Sequence, residues 1–490
     1  MTNIFCIISV SIKPLAHLVI KKCSFSFTFI PMKKLLALLV IVPAFGWGQT
    51  NDDSVFIKKI SDDVLQNGKA YEWLHDLTKN VGGRLGGSPE FAKAIQWGKK
   101  TLGTLGADKV YLQPCLVPRW VRNGKNDKVA VVAVNNKPSL KPLDALALGN
   151  SLGTPTEKGI TAEVFAVNDF DQLEKYKDHI KGKIVFYNYH FNPTNINTFN
   201  SYADAVRYRG GGASRAAKYG AVGMIVRSMS ESTDNNPHTG DMDYNDSFPK
   251  IPAVAIGLQD ADKLWKLCQL STSVKVNITT HGKKMPDVPA ANVIAELKGS
   301  EFPEQIITVG GHLDSWDVNE GANDDGAGVV HTLEVLRVLK AVGYQPKRTI
   351  RFVLFADEEK SGSGAQKYAE EAKAKGEKHI FGFESDAGGF TPRGFSFAVP
   401  AEAWTKLNAW KSLFEPYGGS RFVVGGGGAD TEPLQEAFKT PVAELNPDSQ
   451  RYFDIHHSRA DVFENVNRRE LLLGAVNIAA LIYLVDKYGL

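Results

Sequence analysis

The sequence lacks features that define several protein classes: numerous cysteines, blocks of like charge, and internal repeats. Its 490 residues include 4 cysteines, and 57 basic and 54 acidic residues leave a net charge of +3. A chain without a block of like charge cannot track a phosphate backbone, so we expect no nucleic-acid partner. The 43% hydrophobic and 23% charged content is that of an ordinary folded protein, and the length predicts more than one domain.

The apolar run near the start of the chain is too short to span a bilayer. Two lysines precede this run at residues 35–45, and Gly46 and Gly48 follow it. This order is typical of a signal peptide, whereas a span needs about 20 residues and a buried helix needs no flanking lysines. We therefore expect residues 1–48 to comprise an upstream extension and a signal peptide, with the true start at Met32. The protein is predicted to be exported, secreted or periplasmic, with no stable membrane span after cleavage.

Few cysteines remain in the predicted mature chain. Cleavage after residue 48 leaves Cys115 and Cys268, too few for a disulfide framework or a thiolate metal site. Whether these two are bonded to each other is left open by the sequence.

The composition of the chain changes near residue 129. Before it, residues 53–110 have apolar positions at helical spacing. Beyond it, β-rich runs dominate as far as residue 280, with one helix-like stretch at residues 214–219. A proline-marked linker at residues 285–289 follows. This pattern predicts an inserted β-rich domain.

Strands and helices alternate from Ala291 onward, which predicts an α/β fold with a mostly parallel sheet and helices on both of its faces. Strands are predicted at residues 128–134, 184–187, 222–226, 251–256, 306–309 and 349–355, and later helices at residues 328–342 and 471–488. The predicted organisation is a main domain at residues 49–128 and 286–490, interrupted by the inserted domain at residues 129–285.

Acidic and histidine residues follow the predicted strands of the main domain. In open α/β sheets, ligands bind at the carboxyl ends of the strands, so these side chains are expected to meet. Gathered carboxylates repel one another and raise each other's pKa values unless cations compensate. Nitrogen and oxygen ligands without thiolate suit catalytic zinc. The simpler alternative is that each acidic cluster is a solvated loop tip.

These motifs resemble, in order along the chain, those of the co-catalytic zinc exopeptidases, the family of bacterial leucyl aminopeptidases and carboxypeptidase Q. The motifs are Gly-Gly-His312-Leu-Asp314, Gly-Ala-Asn-Asp324-Asp325-Gly, Asp-Glu358-Glu359, Glu384-Ser-Asp386-Ala-Gly and His456-His457-Ser. The last two resemble the carboxypeptidase Q branch most, and the likeness extends from the N-terminal helical region to the C-terminus.

The resemblance implies two Zn²⁺ ions per chain. His312 and Asp386 would hold one ion, Glu359 and His457 the other, and Asp324 would bridge both. These metals are expected to lower the pKa of a bound water toward 7.

The resemblance also implies roles for residues that do not bind metal. Glu358 would be the general base, and Asp314 would orient the imidazole of His312. Asp461 is assigned a similar role toward His457. A cis peptide bond is expected between Asp324 and Asp325.

The inserted segment resembles a protease-associated domain, which in this family shapes or covers the substrate cleft without doing chemistry. One stretch departs from the family. Some aminopeptidases of the group carry an oxyanion-stabilising tyrosine in the loop before Asp430, where this chain has Gly425-Gly-Gly-Gly428-Ala. Oxyanion stabilisation must then come from zinc, from backbone amides of the glycine run, or from a residue elsewhere.

The resemblance implies a homodimeric exopeptidase that hydrolyses dipeptides or short peptides, with an aminopeptidase of the same family as the alternative. A single-zinc glutaminyl cyclase-like acyltransferase is disfavoured because both histidines, Glu359 and Asp324 are present. A catalytically silent binding ectodomain is disfavoured because no ligand is missing.

Overall fold

The computed structural model describes residues 51–124 and 126–490 of the chain. The predicted signal peptide and the start at Met32 lie outside the described residues. The α-helices, in chain order, are α1 (Asn51–Asn67), α2 (Ala70–Asn80), α3 (Pro89–Gly103), α4 (Phe170–Lys175), α5 (Thr198–Gly210), α6 (Gly212–Ala217), α7 (Leu258–Leu270), α8 (Ala327–Ala341), α9 (Ser363–Lys375), α10 (Ala401–Phe414), α11 (Glu432–Phe438), α12 (Tyr452–Ile455) and α13 (Arg468–Tyr488).

The strands of the described residues form two separate sheets of eight strands each. In chain order they are β1 (Lys109–Val121), β2 (Lys128–Val134), β3 (Lys137–Leu143), β4 (Ala145–Ala147), β5 (Ile160–Val167), β6 (Ile184–Tyr187), β7 (Gly223–Arg227), β8 (Ala253–Ile256), β9 (Val274–Thr279), β10 (Lys283–Leu297), β11 (Phe302–His312), β12 (Arg348–Phe355), β13 (Lys378–Glu384), β14 (Pro392–Ala398), β15 (Arg421–Val424) and β16 (Val442–Pro447).

The first sheet has the order β1-β10-β12-β11-β13-β16-β14-β15. Its central strands β12, β11, β13 and β16 run parallel, while β1, β10 and β14 contribute antiparallel pairs. The predicted mostly parallel sheet flanked by helices is therefore confirmed. The parallel centre is what brings several strand ends to one edge.

Helices α1, α2, α8 and α13 pack into one core with this sheet. Nearly every residue of α13 from Leu471 to Val485 is buried, so that helix is apolar on all sides and lies inside the protein. By length and composition it is the one helix among the described residues that could cross a membrane, but 83% of its most apolar window is buried in the fold. Its hydrophobicity is explained by core packing.

The predicted linker at residues 285–289 is wrong, because this segment is part of β10. It pairs with β1 through Met285 opposite Arg119 and Pro289 opposite Leu116. β10 gains its second neighbour, β12, only from Val293 onward. The prolines therefore lie in a stretch with a free edge, where a missing N–H is tolerated.

The second sheet has the order β3-β2-β9-β5-β6-β7-β8-β4 and comes entirely from the inserted segment. The prediction of one helix there is wrong, because α4, α5, α6 and α7 all lie within it. The buried positions of α5 include Ser201 and Arg209, so no apolar stripe reveals that helix. Helix α7 does have helical spacing at Leu258, Ala261 and Leu264, a signal that the β-rich interpretation overlooked.

The two cysteines in the described residues, Cys115 and Cys268, are free thiols. Burial raises their pKa values, to about 11 for Cys115 and about 12 for Cys268. Neither thiol is therefore in the reactive thiolate form at neutral pH.

Candidate active site

The site is built where neighbouring parallel strands end. His312 is the last residue of β11 and lies opposite Phe355, the last residue of β12, while Gly310 lies opposite Glu384 at the end of β13. The segments that follow these strands carry Asp314, the 357–359 acidic run and Asp386. The parallel register therefore brings separate sequence motifs to one sheet edge.

One half of the site centres on His312. Its Nε2 lies 3.3 Å from Oδ1 of Asp324 and 3.3 Å from Oδ1 of Asp386. The imidazole is fully buried. On the other side of the ring, Nδ1 lies 3.1 Å from the backbone oxygen of Asp314 and 3.6 Å from its carboxylate. The Asp314 contact thus orients Nε2 toward the two carboxylates.

The other half centres on His457. Its Nε2 lies 3.1 Å from Oδ2 of Asp324 and 3.2 Å from Oε2 of Glu359. Asp324 therefore presents one carboxylate oxygen to His312 and the other to His457. Asp324 thus lies between the two halves of the site and contacts both histidines.

His456 and Asp325 lie close enough to the site to be considered as metal ligands, but their contacts favour other roles. His456 stacks on His457 at 3.6 Å between ring centroids, and its Nε2 is farther from Asp324, at 3.6 Å. Asp325 accepts hydrogen bonds from the backbone N–H of His312 and of Gly328, which occupy both of its oxygens. Asp325 therefore supports the backbone of the site. The expected cis peptide bond between Asp324 and Asp325 is present.

The donor set fits zinc. Buried polar atoms normally have hydrogen-bond partners, yet at this site one ligand atom on each of four side chains has none among the described residues. These atoms are His312 Nε2, Asp324 Oδ2, Glu359 Oε1 and Asp386 Oδ1. All four are imidazole nitrogen or carboxylate oxygen, the ligands of catalytic zinc.

The charges of the buried side chains also fit a site for cations. Burial opposes the ionisation of Asp324, but the contacts with His312 and His457 lower its pKa well below the usual value. Burial also opposes charge on His457, while Glu359 and Asp324 raise its pKa to about 10. The buried carboxylates are thus stabilised by nearby positive charge, which divalent cations would also supply.

Glu358 lies in the cavity and is positioned through its backbone. Its N–H donates to Oδ1 of Asp314 at 3.1 Å, and the N–H of Glu359 lies 3.3 Å from Oδ2 of the same carboxylate. Burial, together with Asp386, Glu359 and Asp430, raises the pKa of Glu358 well above its usual value, against the opposing effect of His312. Such a carboxyl group is suited to taking up a proton.

The predicted contact between Asp461 and His457 is wrong. The Asp461 carboxylate instead accepts the backbone N–H of Asn323 at 2.8 Å and of Asp324 at 3.1 Å. The segment after His457 forms turns, in which the N–H of Asp461 donates to the backbone oxygen of Ser458, and these turns bring Asp461 to the loop that carries Asp324. Asp461 therefore positions Asp324 rather than a histidine.

Arg84 is a buried residue whose contribution the sequence did not reveal. Its guanidinium donates to the backbone oxygens of Leu313, Glu320 and Gly321, the segments between His312 and Asp324. The loop that carries Arg84 was visible as a glycine-rich break, but nothing in it indicates the carbonyl partners.

The inserted segment also reaches the site, as the resemblance to a protease-associated domain implies, but the residues that it contributes were not predicted. A cavity of about 460 Å³ at the site includes Arg209, Tyr202 and Asp241 in its lining, with Glu358 and His457. Arg209 Nη1 lies 3.3 Å from His457 Nδ1, although the two residues are 248 positions apart in the chain. No local sequence signal marks such a long-range contact.

Comparison with known proteins identifies two domains. Residues 292–482 match peptidase family M28 and residues 146–264 match the PA domain, the protease-associated domain expected in the insert. Carboxypeptidase Q of Homo sapiens is 36% identical over 420 residues, which cover 86% of this chain and 84% of that protein. Carboxypeptidase Q of Xenopus laevis is 38% identical over 403 residues, covering 81% and 82% of the two chains.

Solved structures agree with this placement. The crystal structure of a peptidase M28 precursor from Shewanella amazonensis SB2B has a TM-score of 0.84 and 30% identity, covering 89% of this chain and 97% of its own. A zinc aminopeptidase from Bacillus subtilis, at 21% identity and a TM-score of 0.61, covers 85% of this chain and 94% of its own and shares the fold. These similarities show that the chain belongs to peptidase family M28 and is a zinc-dependent metallo-exopeptidase.

Proposed function

We propose that the protein is an exported di-zinc exopeptidase that hydrolyses dipeptides or short peptides. The observation that carries the proposal is the position of Asp324, whose two oxygens face the Nε2 atoms of two different histidines. A carboxylate placed in this way is suited to two metal ions rather than one.

The proposed ligands follow from the two halves of the site. His312 and Asp386 would hold one zinc, Glu359 and His457 would hold the other, and Asp324 would be shared between them. When bound, the ions polarise the scissile carbonyl group and make a water nucleophile available near neutral pH.

The remaining steps belong to protein side chains. Glu358 takes the proton of the attacking water on its carboxylate and returns it to the leaving nitrogen. Asp314 orients His312 through Nδ1 and places Glu358 and Glu359 through their backbone N–H groups. Asp314 thus aligns a proposed metal ligand through its backbone oxygen and the general base through its carboxylate.

The walls of the cavity are suited to exclude water from the reaction. Phe199 of the insert and Tyr452 and Phe453 of the peptidase region line the cavity beside the acidic residues. These rings also pack against one another, with Phe199 stacked on Tyr452 at 5.3 Å and edge-on to Phe453 at 4.9 Å. Apolar walls strengthen the electrostatic interactions of the charged groups within.

The substrate class is tested by release of free amino acids from a panel of unsubstituted dipeptides. Aminoacyl chromogenic substrates and N-blocked peptides are run beside it. We expect the dipeptides to be cleaved best, as the likeness to carboxypeptidase Q supports. Cleavage of aminoacyl substrates alone would favour the aminopeptidase alternative, and cleavage of only the N-blocked set would contradict both.

The metal content is tested on the same preparation. We expect close to two zinc ions per chain and loss of activity to a chelator, because imidazoles and carboxylates alone define the site. Fully active enzyme with at most one ion per chain would contradict the di-zinc proposal and favour the cyclase alternative.

We also propose export to the periplasm or the exterior, on the signal-peptide pattern of residues 32–48. N-terminal sequencing of the mature protein should place the first residue near position 49, while the unprocessed product should begin at Met32. An unprocessed chain that begins at Met1 would contradict the proposed start.

A further inference from the structure

A second cavity, of about 630 Å³, adjoins the cavity that contains the proposed zinc ligands. Phe199 lines both cavities, and the consecutive residues Asp386 and Ala387 line one each. Other walls of the second cavity come from strands β14, β15 and β16 of the peptidase sheet. The second cavity is therefore placed to receive part of a substrate that is bound at Asp386.

Glu444 is an acidic residue in the wall of this second cavity. It lies in β16 between Ala443 and Leu445, which are both buried in the main core. Successive side chains of a strand point to opposite faces of the sheet. Glu444 is accordingly half-buried and faces the cavity, as does Asn446 two positions later.

The carboxylate of Glu444 has no hydrogen bond or ion pair within the part of the chain that the structure describes. Its two neighbours across the sheet, Ser396 of β14 and Glu384 of β13, have other partners. The hydroxyl of Ser396 donates to the backbone oxygen of Gly426 at 2.9 Å, and the carboxylate of Glu384 accepts the N–H of Thr431 at 2.9 Å. Glu444 is therefore a free acceptor with a negative charge to be balanced.

Two arginines line the same cavity, but neither forms an ion pair with Glu444 in the described structure. Arg393 Nη2 lies 2.7 Å from Oδ2 of Asp448, which neutralises it. Arg421 is exposed at the start of the edge strand β15. Burial and the charge of Asp386 raise the pKa of Glu444 to about 8, as expected for a carboxyl group without a cationic partner. A cation in the cavity would stabilise the charged form.

We propose that Glu444 binds the cationic side chain of a lysine or arginine residue that adjoins the scissile bond. Glu444 is then a specificity-determining residue, and dipeptides or short peptides with a basic residue at that position are the preferred substrates. The inference rests on the proposed exopeptidase function and extends it to a side-chain preference.

The strand register places Glu444 within reach of such a side chain. Glu444 lies opposite Glu384 in the paired strands β16 and β13, and neighbouring strands are about 4.8 Å apart. Asp386 is two residues beyond Glu384, and two residues span at most about 7 Å. The backbones of Glu444 and Asp386 are thus no more than about 12 Å apart. Extended lysine and glutamate side chains together cover about 10 Å, which suits a lysine bound beside Asp386.

The test compares dipeptides that differ in one charge. Lysyl-alanine and alanyl-lysine are each paired with the norleucine dipeptide of the same order, whose side chain has the same stem without the ammonium group. The wild-type enzyme should prefer lysine at one of the two positions by about 10-fold or more in kcat/KM, mostly through KM, because the charge pair with Glu444 is lost with norleucine. Glutamate at that position should be cleaved more slowly than norleucine.

Glu444→Gln keeps the size of the side chain and removes its charge. In this variant the lysine and norleucine dipeptides should be cleaved with similar kcat/KM. Glu436→Gln is the matched control, because Glu436 is exposed on α11 and does not line the cavity. It should keep the wild-type preference for lysine. Zinc content is measured for every variant, so that loss of metal is distinguished from loss of substrate binding.

Three outcomes would overturn the proposal. The first is a wild-type enzyme that prefers lysine at neither position, a result that needs no variant to fold. The second is a lysine preference that survives in Glu444→Gln. The third is an equal fall in kcat/KM for lysine and norleucine in that variant, which would assign Glu444 to the substrate backbone or to the zinc site. A wild-type enzyme that cleaves no peptide would instead refute the proposed function, and the inference with it.

Discussion

Glu358 and Glu359 are adjacent in the chain, but their carboxyl groups face different tasks in the proposed site. Glu359 approaches His457 at 3.2 Å, whereas Glu358 has no such contact with a histidine among the described residues. We expect Glu358→Gln to keep both metals and a similar KM but to lose about 10²- to 10⁴-fold in kcat, the usual contribution of a general base. Glu359→Gln should bind its second zinc more weakly and regain activity when zinc is added.

The two variants serve as controls for each other. Zinc content and kcat are measured for both across a zinc titration, and Glu358→Gln should not be rescued. Metal loss in Glu358→Gln with full occupancy in Glu359→Gln would reverse the assignment. Equal behaviour would contradict the two-role interpretation.

Asp461 provides a second test at the level of single residues. Its carboxylate holds the backbone N–H groups of Asn323 and Asp324, so Asp461→Asn should weaken zinc affinity by about 10- to 100-fold, as loss of a ligand's supporting partner does. Equilibrium dialysis against a zinc buffer measures the change. Wild-type affinity in this variant would show that Asp324 is positioned without Asp461.

The proposed ligands His312, Asp324, Glu359, Asp386 and His457 could be named from the sequence because their motifs resemble, in order, those of a known family. His312 and Glu359 also follow the predicted strands at residues 306–309 and 349–355, so a parallel sheet was expected to bring them together. Arg209 and the partners of Asp461 could not be predicted in this way, since their contacts depend on how distant segments pack.

At the level of elements, Asp53 joins the first helix to the last. Its buried carboxylate accepts hydrogen bonds from Tyr483 at 2.7 Å, Lys487 at 2.6 Å and Tyr488 at 2.7 Å. Burial opposes ionisation, but these donors outweigh it and lower the pKa of Asp53. We expect Asp53→Asn to reduce the free energy of unfolding by about 1.5–3 kcal/mol at neutral pH, the value of hydrogen bonds to a charged group.

The pH dependence of this effect has a definite sign. A carboxylate with a lowered pKa in the folded state stabilises the fold above its unfolded value of about 3.9, and that stabilisation is lost as the pH falls. The difference between wild type and Asp53→Asn in urea unfolding should therefore shrink below about pH 4. Asp52→Asn, an exposed neighbour, should match wild type throughout. A constant difference across pH would contradict the ionised Asp53.

Strands were predicted more reliably than helices in the insert. β2 and β6 coincide with the predicted residues 128–134 and 184–187, because continuous β-branched and aromatic runs mark buried strands. Helix α5 has a buried face that includes Ser201 and Arg209, so hydrophobic periodicity could not reveal it. A helix whose inner face is polar requires its tertiary partners to be recognised.

For the whole molecule, we predict a homodimer. This prediction rests on the resemblance to carboxypeptidase Q. The exposed large apolar side chains of the described residues, such as Leu140, Leu270 and Val424, are single positions on different elements and do not indicate where an interface would lie. Light scattering at micromolar protein should give twice the mass of the mature chain. A monomer throughout that range would contradict the prediction.

The pairing of β1 with β10 shows where the insert interrupts the peptidase sheet. Val121, the last residue of β1, lies opposite Lys283, the first residue of β10, in an antiparallel pair. Strand ends placed in this way are normally joined by a turn of a few residues. The insert thus occupies the position of a hairpin loop in the peptidase sheet. A chain with a short turn there would keep the proposed zinc ligands, but it would lose Phe199, Tyr202 and Arg209 from the lining of the cavity.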